Sequence, residues 1–261
     1  MYSDRTRGGR PTGCAVDLDE VRVTDAYEVL YKGTLPLERT KIGQGAYGRV
    51  FRLSYFTDSA KLTLKQQNMD DEVLESMRVA ESLRDCALVD FKSMNIEDLE
   101  IWTLMEAMDR DCSKMQYARR RRTAEDYAAF LRRLRDCLFR QNASFTDMKL
   151  NNTAVKRCGR KDAFRLIDLD GINAEISTLP AIAKYATECE TPEEKRIQTS
   201  YAFAVTAMLY EKRPNASRPF YWNGLAPLRE RIRLLQTHMD TTPTPGVASL
   251  IADALKAVEA L

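Results

Sequence analysis

The sequence predicts an α+β fold, with strands in the first half of the chain and helices in the second. Two apolar runs flank a glycine-rich turn between Leu37 and Met69, which is typical of a β-hairpin. From Thr123 to Arg140, apolar residues recur at helical spacing and predict a long amphipathic helix. Beyond Ile197 the pattern stays helical and is interrupted by prolines. Strands and helices that are segregated along a chain favour an α+β fold, here one of two lobes.

Shorter elements fill the intervals between these segments. Acidic residues at the start of Asp70–Arg84, followed by apolar residues at helical spacing, predict a helix. Apolar runs at Leu88–Met94 and Ile101–Met105 predict two more strands. After the long helix we expect a polar loop over Asn142–Asn152 and then a short strand over Phe164–Ile167.

The composition excludes several classes of function. With 40 Lys and Arg against 38 Asp and Glu, the net charge is +2, which provides no global field for nucleic-acid binding. The one histidine, His238, cannot form a multi-histidine metal site, and we expect it on an exposed helix surface. A chain of 261 residues with 44% hydrophobic and 30% charged residues is typical of a soluble globular protein.

The cysteines and the start of the chain bear on the cellular compartment. The cysteines form no C-x-x-C pair and no metal-ligand pattern, so we expect reduced, mostly buried thiols in preference to three disulfides. The polar segment Met1–Gly13 lacks an apolar stretch and predicts a disordered leader, not a secretory signal. No apolar run approaches the ~18–20 residues of a membrane span, so we expect a soluble, intracellular protein. The six cysteines are Cys14, Cys86, Cys112, Cys137, Cys158 and Cys189.

A glycine-rich segment is the most specific local motif. Residues 42–50 fit the pattern G-x-G-x-x-G-x-V between two strand-like runs. Glycines let backbone N–H groups approach phosphates without interference from a Cβ atom. A dinucleotide-binding fingerprint opens a helix, so the strand-to-strand context argues against that class; a purely structural hairpin is the alternative. The residues predicted to contact a phosphate-bearing ligand are Ile42, Gly43, Gly45, Gly48 and Val50.

Lys65 favours a functional interpretation of this loop. It lies 15 residues after Val50, within the apolar strand Leu62–Lys65. A lysine inside such a strand is unexpected unless its ammonium group meets an anion. An edge-strand lysine that points to solvent is the alternative.

With this loop and lysine, the sequence resembles the protein kinase family over about Leu37 to Glu211. The resemblance implies a two-lobed kinase fold with a β-rich N-lobe and a helical, reduced C-lobe. It places an N-terminal extension at 1–36, the N-lobe and hinge at 37–108, and the C-lobe at 109–261.

The family pairs its strand lysine with a glutamate on the next helix. Glu75 is favoured for this role because its distance to the hinge suits the family, although it follows Lys65 by only ten residues. A merely solvated carboxylate is the alternative. The other glutamates of the predicted helix are Glu72 and Glu81.

The resemblance assigns the hinge between the lobes to the segment around Met105. Met105 would guard the adenine pocket, while Glu106 and Met108 would contact adenine through their backbone groups. The Met and Ala residues of this segment, Met105, Ala107 and Met108, could equally form plain apolar core.

Residues 145–152 contain a second motif, D-x-K-x-x-N, directly after the long helix. In the family's terms, Asp147 would accept the substrate hydroxyl proton, Lys149 would neutralise the transferring phosphate and Asn152 would bind Mg²⁺. Sixteen residues beyond Asn152, Asp168 ends an apolar strand where the family has its metal-binding aspartate. Oxygen ligands from Asn152 and Asp168 suit Mg²⁺.

The motifs also depart from the family pattern. Phe145 and Thr146 replace the usual histidine and arginine, which removes a partner for a phosphorylated activation loop. Asp170 stands in place of a glycine and is a second candidate metal ligand. Thr199 replaces the aspartate of the central C-lobe helix, and no clear A-P-E motif follows Gly171.

These features predict an ATP- and Mg²⁺-dependent protein serine/threonine kinase, of the reduced kind found in large DNA viruses and among bacterial effectors. The departures leave a pseudokinase, an ATP-binding or partner-binding scaffold, as an alternative. A small-molecule kinase is a third, which Lys149 disfavours. We expect protein substrates and a regulatory protein partner, without nucleic acid or membrane, in the cytoplasm, the nucleus or a host cell.

Overall fold

The computed structural model describes residues 17–32, 37–45, 48–55, 58–96, 99–114, 121–145, 147–158, 161–170, 172–174, 191–212 and 228–259. Within these residues the fold is α+β, as predicted, with a β-rich sheet region and several helices. The predicted leader Met1–Gly13 lies outside the described residues, as do Thr146 and Gly171.

Twelve strands and five helices are assigned in the described residues. The strands are β1 (Val21–Val23), β2 (Val29–Tyr31), β3 (Glu38–Gly45), β4 (Gly48–Tyr55), β5 (Asp58–Asn68), β6 (Phe91–Ile96), β7 (Glu100–Glu106), β8 (Arg110–Asp111), β9 (Ala143–Phe145), β10 (Thr153–Cys158), β11 (Lys161–Leu166) and β12 (Ile172–Ala174). The helices are α1 (Asp71–Ser82), α2 (Arg121–Arg140), α3 (Pro192–Lys212), α4 (Leu228–Met239) and α5 (Pro245–Glu259).

The chain divides into two compact units. The first consists of Met1–Met69, Val89–Asp109 and Lys156–Ala163, and the second of Asp70–Leu88, Arg110–Val155 and Phe164–Leu261. This division crosses the predicted lobe boundaries, because α1 belongs to the second unit. Two contacts hold α1 in the second unit. The Ser76 hydroxyl donates a hydrogen bond to the Asp170 carbonyl at 2.8 Å, and Cys86, shortly after α1, forms a disulfide with Cys137.

The first unit contains a five-stranded antiparallel sheet in the order β3-β4-β5-β7-β6. β3 and β4 form the predicted hairpin, and β6 and β7 correspond to the two further predicted strands. Since successive side chains of a strand point to opposite faces, Leu62 and Leu64 of β5 lie on one face and Lys65 on the other. The leucine face holds a buried core made of Leu53, Leu62, Leu64, Trp102 and Leu104.

The β1–β2 hairpin completes the core of the first unit. Its buried valines, Val21 and Val29, pack in the same cluster as the sheet leucines. The Tyr27 ring lies 6.0 Å from the Trp102 ring, centroid to centroid, and the Arg39 guanidinium lies 4.5 Å from the Trp102 centroid. The segment predicted as an N-terminal extension therefore contributes apolar area to the sheet core, at least over residues 17–32.

The second unit is built on three helices, since α2 and α5 both pack against α3 and against each other. Tyr127 of α2, fully buried, stacks on Tyr210 of α3 with ring centroids 4.0 Å apart. Phe164 meets Tyr127 edge-on at 5.1 Å. The long amphipathic helix predicted from Thr123 is thus confirmed, and its apolar stripe faces the unit's core.

Two expectations about single residue types are wrong. Cys86 and Cys137 form a disulfide, with Cα atoms 5.5 Å apart, where reduced thiols were expected; Cys112 is buried and not disulfide-bonded. The bridge joins the segment that follows α1 to helix α2, which a separation of 51 residues does not reveal. His238 is buried, only 4% exposed, because it shares a helix face with Leu235 inside the second unit.

His238 also has a polar partner in the second unit. Its Nε2 lies 3.3 Å from Glu211 Oε2, and Glu211 Oε1 accepts from the Thr244 backbone N–H at 2.7 Å. The carboxylate of Glu211 therefore satisfies both the imidazole and the backbone at the start of α5, which is how a polar side chain can be buried there.

The segment predicted as a polar loop, Asn142–Asn152, is more structured than expected. It begins with β9, which pairs with β12 so that Phe145 lies opposite Ile172. Phe145 is fully buried, and apolar burial of so short a strand is decided by its partners, not by its own pattern. β10, which follows, was not predicted. No helix in the described part of the chain is long and apolar enough to cross a membrane.

Candidate functional site

The glycine-rich hairpin lies at the edge of the five-stranded sheet. Gly45 pairs with Gly48 across its end, and the β3 register shifts between Lys41 and Gly43. A Cβ atom on Gly48 would lie 2.2 Å from the Gln66 carbonyl oxygen, so packing against β5 alone requires glycine there. Gly48 consequently has a structural reason in addition to the predicted functional one.

The other residues predicted in this loop differ in exposure. Ile42 is 52% exposed, while Gly43 and Val50 are partly buried. A Cβ on Gly43 would meet Val50 only at an ordinary 3.8 Å, so packing does not require glycine at that position.

Lys65 lies on β5, the central strand of the sheet, and not on an edge strand as the alternative held. Val50 of β4 and Thr103 of β7 are its cross-strand neighbours. All three residues lie on the face opposite the leucine core. Lys65 is partly buried on this second face.

The predicted hinge residues follow at the end of β7. Met105 is buried and pairs with Thr63 of β5 and Phe91 of β6. The Glu106 N–H donates to the Asp90 carbonyl at 3.0 Å, and its carboxylate lies 2.8 Å from the Lys156 ammonium. Sequence reasoning missed this ion pair, because Lys156 belongs to the unpredicted strand β10.

In the second unit, the three polar residues of the D-x-K-x-x-N motif come together. The Lys149 ammonium lies 2.7 Å from Asp147 Oδ2, and the Asn152 amide donates to the same oxygen at 3.1 Å. The Asn152 amide also lies 2.9 Å from the Asp147 carbonyl oxygen. Asp147 Oδ1 makes no hydrogen bond to any residue of the described part of the chain. The cluster thus leaves one carboxylate oxygen available to accept a proton.

Helix α3 anchors the segment that carries this cluster at two points, Phe145 and Met148. The Phe145 backbone N–H donates to Thr199 Oγ1 at 3.2 Å. Thr206, two helical turns later, has its hydroxyl 3.0 Å from the Met148 carbonyl oxygen. Thr199 thus anchors the Phe145 backbone through its hydroxyl oxygen. The contact of Thr206 could not be predicted, since a threonine inside an apolar helix has no sequence pattern that indicates its hydrogen-bond partner.

Asp168 follows β11 at the same end of the second unit. The backbone N–H of its neighbour Ile167 donates to the Asn152 carbonyl at 2.9 Å, so the two predicted metal ligands lie on segments joined by a hydrogen bond. Asp170, the second candidate, has its carbonyl bonded to Ser76 of α1. No group of three or more His, Cys, Asp or Glu side chains with metal-binding geometry occurs among the described residues.

Glu75 lies on α1 in the second unit, where its carboxylate is 3.7 Å from the Arg78 guanidinium one helical turn away. Glu81 makes the equivalent contact with Arg84 at 3.7 Å. The side chain of Glu72 lies outside the described residues. The pairing of Lys65 with Glu75 stays a prediction.

The chain matches no known protein-family model, and no curated protein matches it at a significant level.

Proposed function

We propose that this protein is an ATP- and Mg²⁺-dependent protein serine/threonine kinase with a reduced, two-lobed kinase-like fold. The observation that supports it best is the cluster in which Lys149 and Asn152 both contact the Asp147 carboxylate, on a segment anchored to α3. Two polar side chains converge on a single carboxylate there, which is costly to maintain in a purely structural loop.

The cluster suits proton acceptance and phosphate binding. Two donors occupy Asp147 Oδ2, which leaves Oδ1 as the oxygen that accepts the proton of a substrate hydroxyl. Lys149, ion-paired and partly exposed, supplies a positive charge to the transferring phosphoryl group. The attacking hydroxyl loses its proton to Asp147 as its oxygen bonds to phosphorus, and the bond from phosphorus to the ADP oxygen breaks.

The residues assigned to the nucleotide belong to the first unit. Lys65 offers an ammonium group on the face of the sheet that the leucine core does not use, and we assign it to the α- and β-phosphates. The backbone of the glycine loop would cover these phosphates, with Ile42 and Val50 beside the base.

The donor set fits Mg²⁺. Because the Asn152 amide nitrogen is engaged by Asp147, the amide oxygen is the atom left to bind a cation, and Asp168 adds a carboxylate. Mg²⁺, when bound there, would neutralise phosphate oxygens during transfer. Asp170 is the second candidate for the carboxylate ligand.

The substitution Asp147→Ala tests the assignment. We expect kcat to fall by about 10²–10⁴-fold, since the general base is lost, while ATP affinity stays close to that of the wild type. The measurement is transfer of labelled phosphate from Mg·ATP to a generic acceptor protein, beside calorimetric titration with ATP. Asp240→Ala, at an exposed aspartate after α4, is the matched control and should retain wild-type activity. Equal activity in Asp147→Ala would refute the mechanism.

A pseudokinase is the second candidate, favoured by Asp170 at a glycine position with its carbonyl already bonded to Ser76. Mass spectrometry after incubation with Mg·ATP, beside the Lys65→Met variant, separates the two. Autophosphorylation that disappears in Lys65→Met supports the kinase. ATP binding without any transfer supports the scaffold. Transfer to sugar or amine acceptors only would favour a small-molecule kinase.

We further propose an intracellular location, a protein substrate and a regulatory protein partner. Regulation by a partner would replace activation-loop phosphorylation. The residue at position 146 is a threonine, so residues 145–152 contain no arginine that could bind a phosphorylated side chain. Fractionation of expressing cells tests the location.

A further inference from the structure

A buried ion pair fixes the end of β7 in the first unit. The Lys156 ammonium lies 2.8 Å from Glu106 Oε2, and the two side chains are only 12% and 10% exposed. Lys156 lies on β10, whereas Glu106 begins the predicted adenine-contacting segment 106–108. This ion pair belongs neither to the glycine-rich segment 42–50 nor to the segment 145–152 that carries the D-x-K-x-x-N motif.

A second bond lies just beyond that segment. The Arg157 backbone N–H donates to Asp109 Oδ2 at 2.7 Å. Segment 106–108 is therefore held at both ends by two consecutive residues of β10. β10 continues by pairing antiparallel with β8, with Val155 opposite Arg110.

The ionic character of the pair is informative. A buried ion pair contributes little net stability, because desolvation of both charges offsets their attraction, and an apolar pair would serve as well. Charges instead specify alignment. A slip of β10 by one residue would turn Lys156 to the other face of the strand and leave the Glu106 carboxylate buried without its cation.

We propose that Lys156 is a positioning residue for nucleotide binding: through Glu106 it holds the backbone of segment 106–108 in the alignment that receives the adenine base. This inference rests on the proposed ATP binding and adds to it a residue outside every recognised motif. Lys156 touches neither the base nor the phosphates; it acts through the backbone that does.

Three variants test the proposal. Lys156→Met removes the charge at nearly constant length. Glu106→Leu with Lys156→Met replaces the pair by apolar side chains, which restores a folded protein if Lys156→Met alone is unstable. Arg157→Ala is the matched control, a cation on the same strand with an exposed side chain whose backbone bond to Asp109 remains.

The readouts are the Kd for Mg·ATP by calorimetry, the melting temperature, and amide hydrogen exchange over residues 106–111 without nucleotide. We expect Lys156→Met to raise the Kd at least tenfold and to speed exchange over this segment. The apolar double variant should regain the melting temperature but not the affinity. Arg157→Ala should match the wild type in all three.

The outcomes separate this inference from the proposed function. If the wild type binds Mg·ATP and the apolar double variant binds it equally well, the positioning role is refuted and ATP binding stands. Unchanged exchange over 106–111 in Lys156→Met also refutes it. If the wild type does not bind Mg·ATP, the proposed function fails, and the inference with it.

Discussion

At the scale of single residues, the segment that carries Asp147, Lys149 and Asn152 is anchored by the hydroxyl of Thr199, where the resemblance to kinases implies an aspartate. Thr199 is fully buried, and its Oγ1 accepts the Phe145 backbone N–H. One amide needs one acceptor, so a neutral hydroxyl suffices and avoids burying a charge in the core. A hydroxyl at position 199 is therefore sufficient to anchor the Phe145 backbone.

Thr199→Val should destabilise the protein, because the variant keeps the side-chain shape and leaves the Phe145 N–H buried without an acceptor. The free energy of unfolding should fall by about 1–3 kcal/mol, measured by urea denaturation. Thr199→Ser, which keeps the hydroxyl, is the control and should retain the protection of the Phe145 amide against hydrogen exchange. Equal protection in the valine and serine variants would contradict the anchor.

Tyr127 predicts how the second unit responds to alkaline pH. Burial raises the pKa of Tyr127 well above its ordinary value of 10.0, since the phenolate would have no water around it. Below pH about 10 the phenol of Tyr127 is neutral in both the folded and the unfolded protein, so its full contribution to the free energy of unfolding is present. As pH rises from there towards the raised folded pKa, only the unfolded chain ionises and stability falls by about 1.4 kcal/mol per pH unit.

Tyr127→Phe has no ionisable group at this position. Its free energy of unfolding should therefore fall less steeply than that of the wild type between pH 10 and 11, as followed by urea denaturation at each pH. Near pH 7 the same variant loses the hydrogen bond to Thr153 at 2.8 Å, which should cost about 1 kcal/mol. The same alkaline slope in both proteins would show that other groups control the transition.

At the scale of elements, the placement of α1 departs most from expectation. Its start is local: the Asp70 side chain accepts the Val73 N–H at 2.8 Å, as a helix N-cap does. Its partners are not local, because Ser76 and the Cys86–Cys137 disulfide tie it to segments far along the chain. The residues that form the helix could be predicted, whereas the unit to which it belongs could not.

Reduction of the disulfide should destabilise the second unit. The bridge closes a loop of 51 residues, and loop-closure entropy predicts a loss of about 4 kcal/mol when it is opened. The measurement is the urea midpoint with and without a dithiol reductant, in the wild type and in the double variant Cys86→Ser with Cys137→Ser. The double variant should be insensitive to the reductant.

Cys112→Ser, which removes a cysteine outside the bridge, is the control and should respond to reductant as the wild type does. Mass mapping of the unreduced protein that finds Cys86 and Cys137 alkylated would contradict the bridge.

At the scale of the whole molecule, the hydrophobic pattern of the sequence predicts different things in the two units. In the first unit, the two-residue period of β5 separates the leucine core from the face of Lys65, so the alternation alone predicts which side is apolar. In the second unit, the helical stripe that includes Tyr127 and Leu131 predicts burial but not the partner. The partner, Tyr210 stacked at 4.0 Å, lies 83 residues further along the chain.

The sequence by itself determined the α+β class, the β3–β4 hairpin, the long helix α2, and the positions of Asp147, Lys149 and Asn152 within one short motif. These properties depend on periodicity and on neighbours a few residues apart, which a sequence displays directly. Only the tertiary structure decided the burial of His238, the cysteine pairing and the ion pair of Lys156 with Glu106. Each of these depends on which faces of distant segments meet, and packing of the folded chain, not local pattern, selects those contacts.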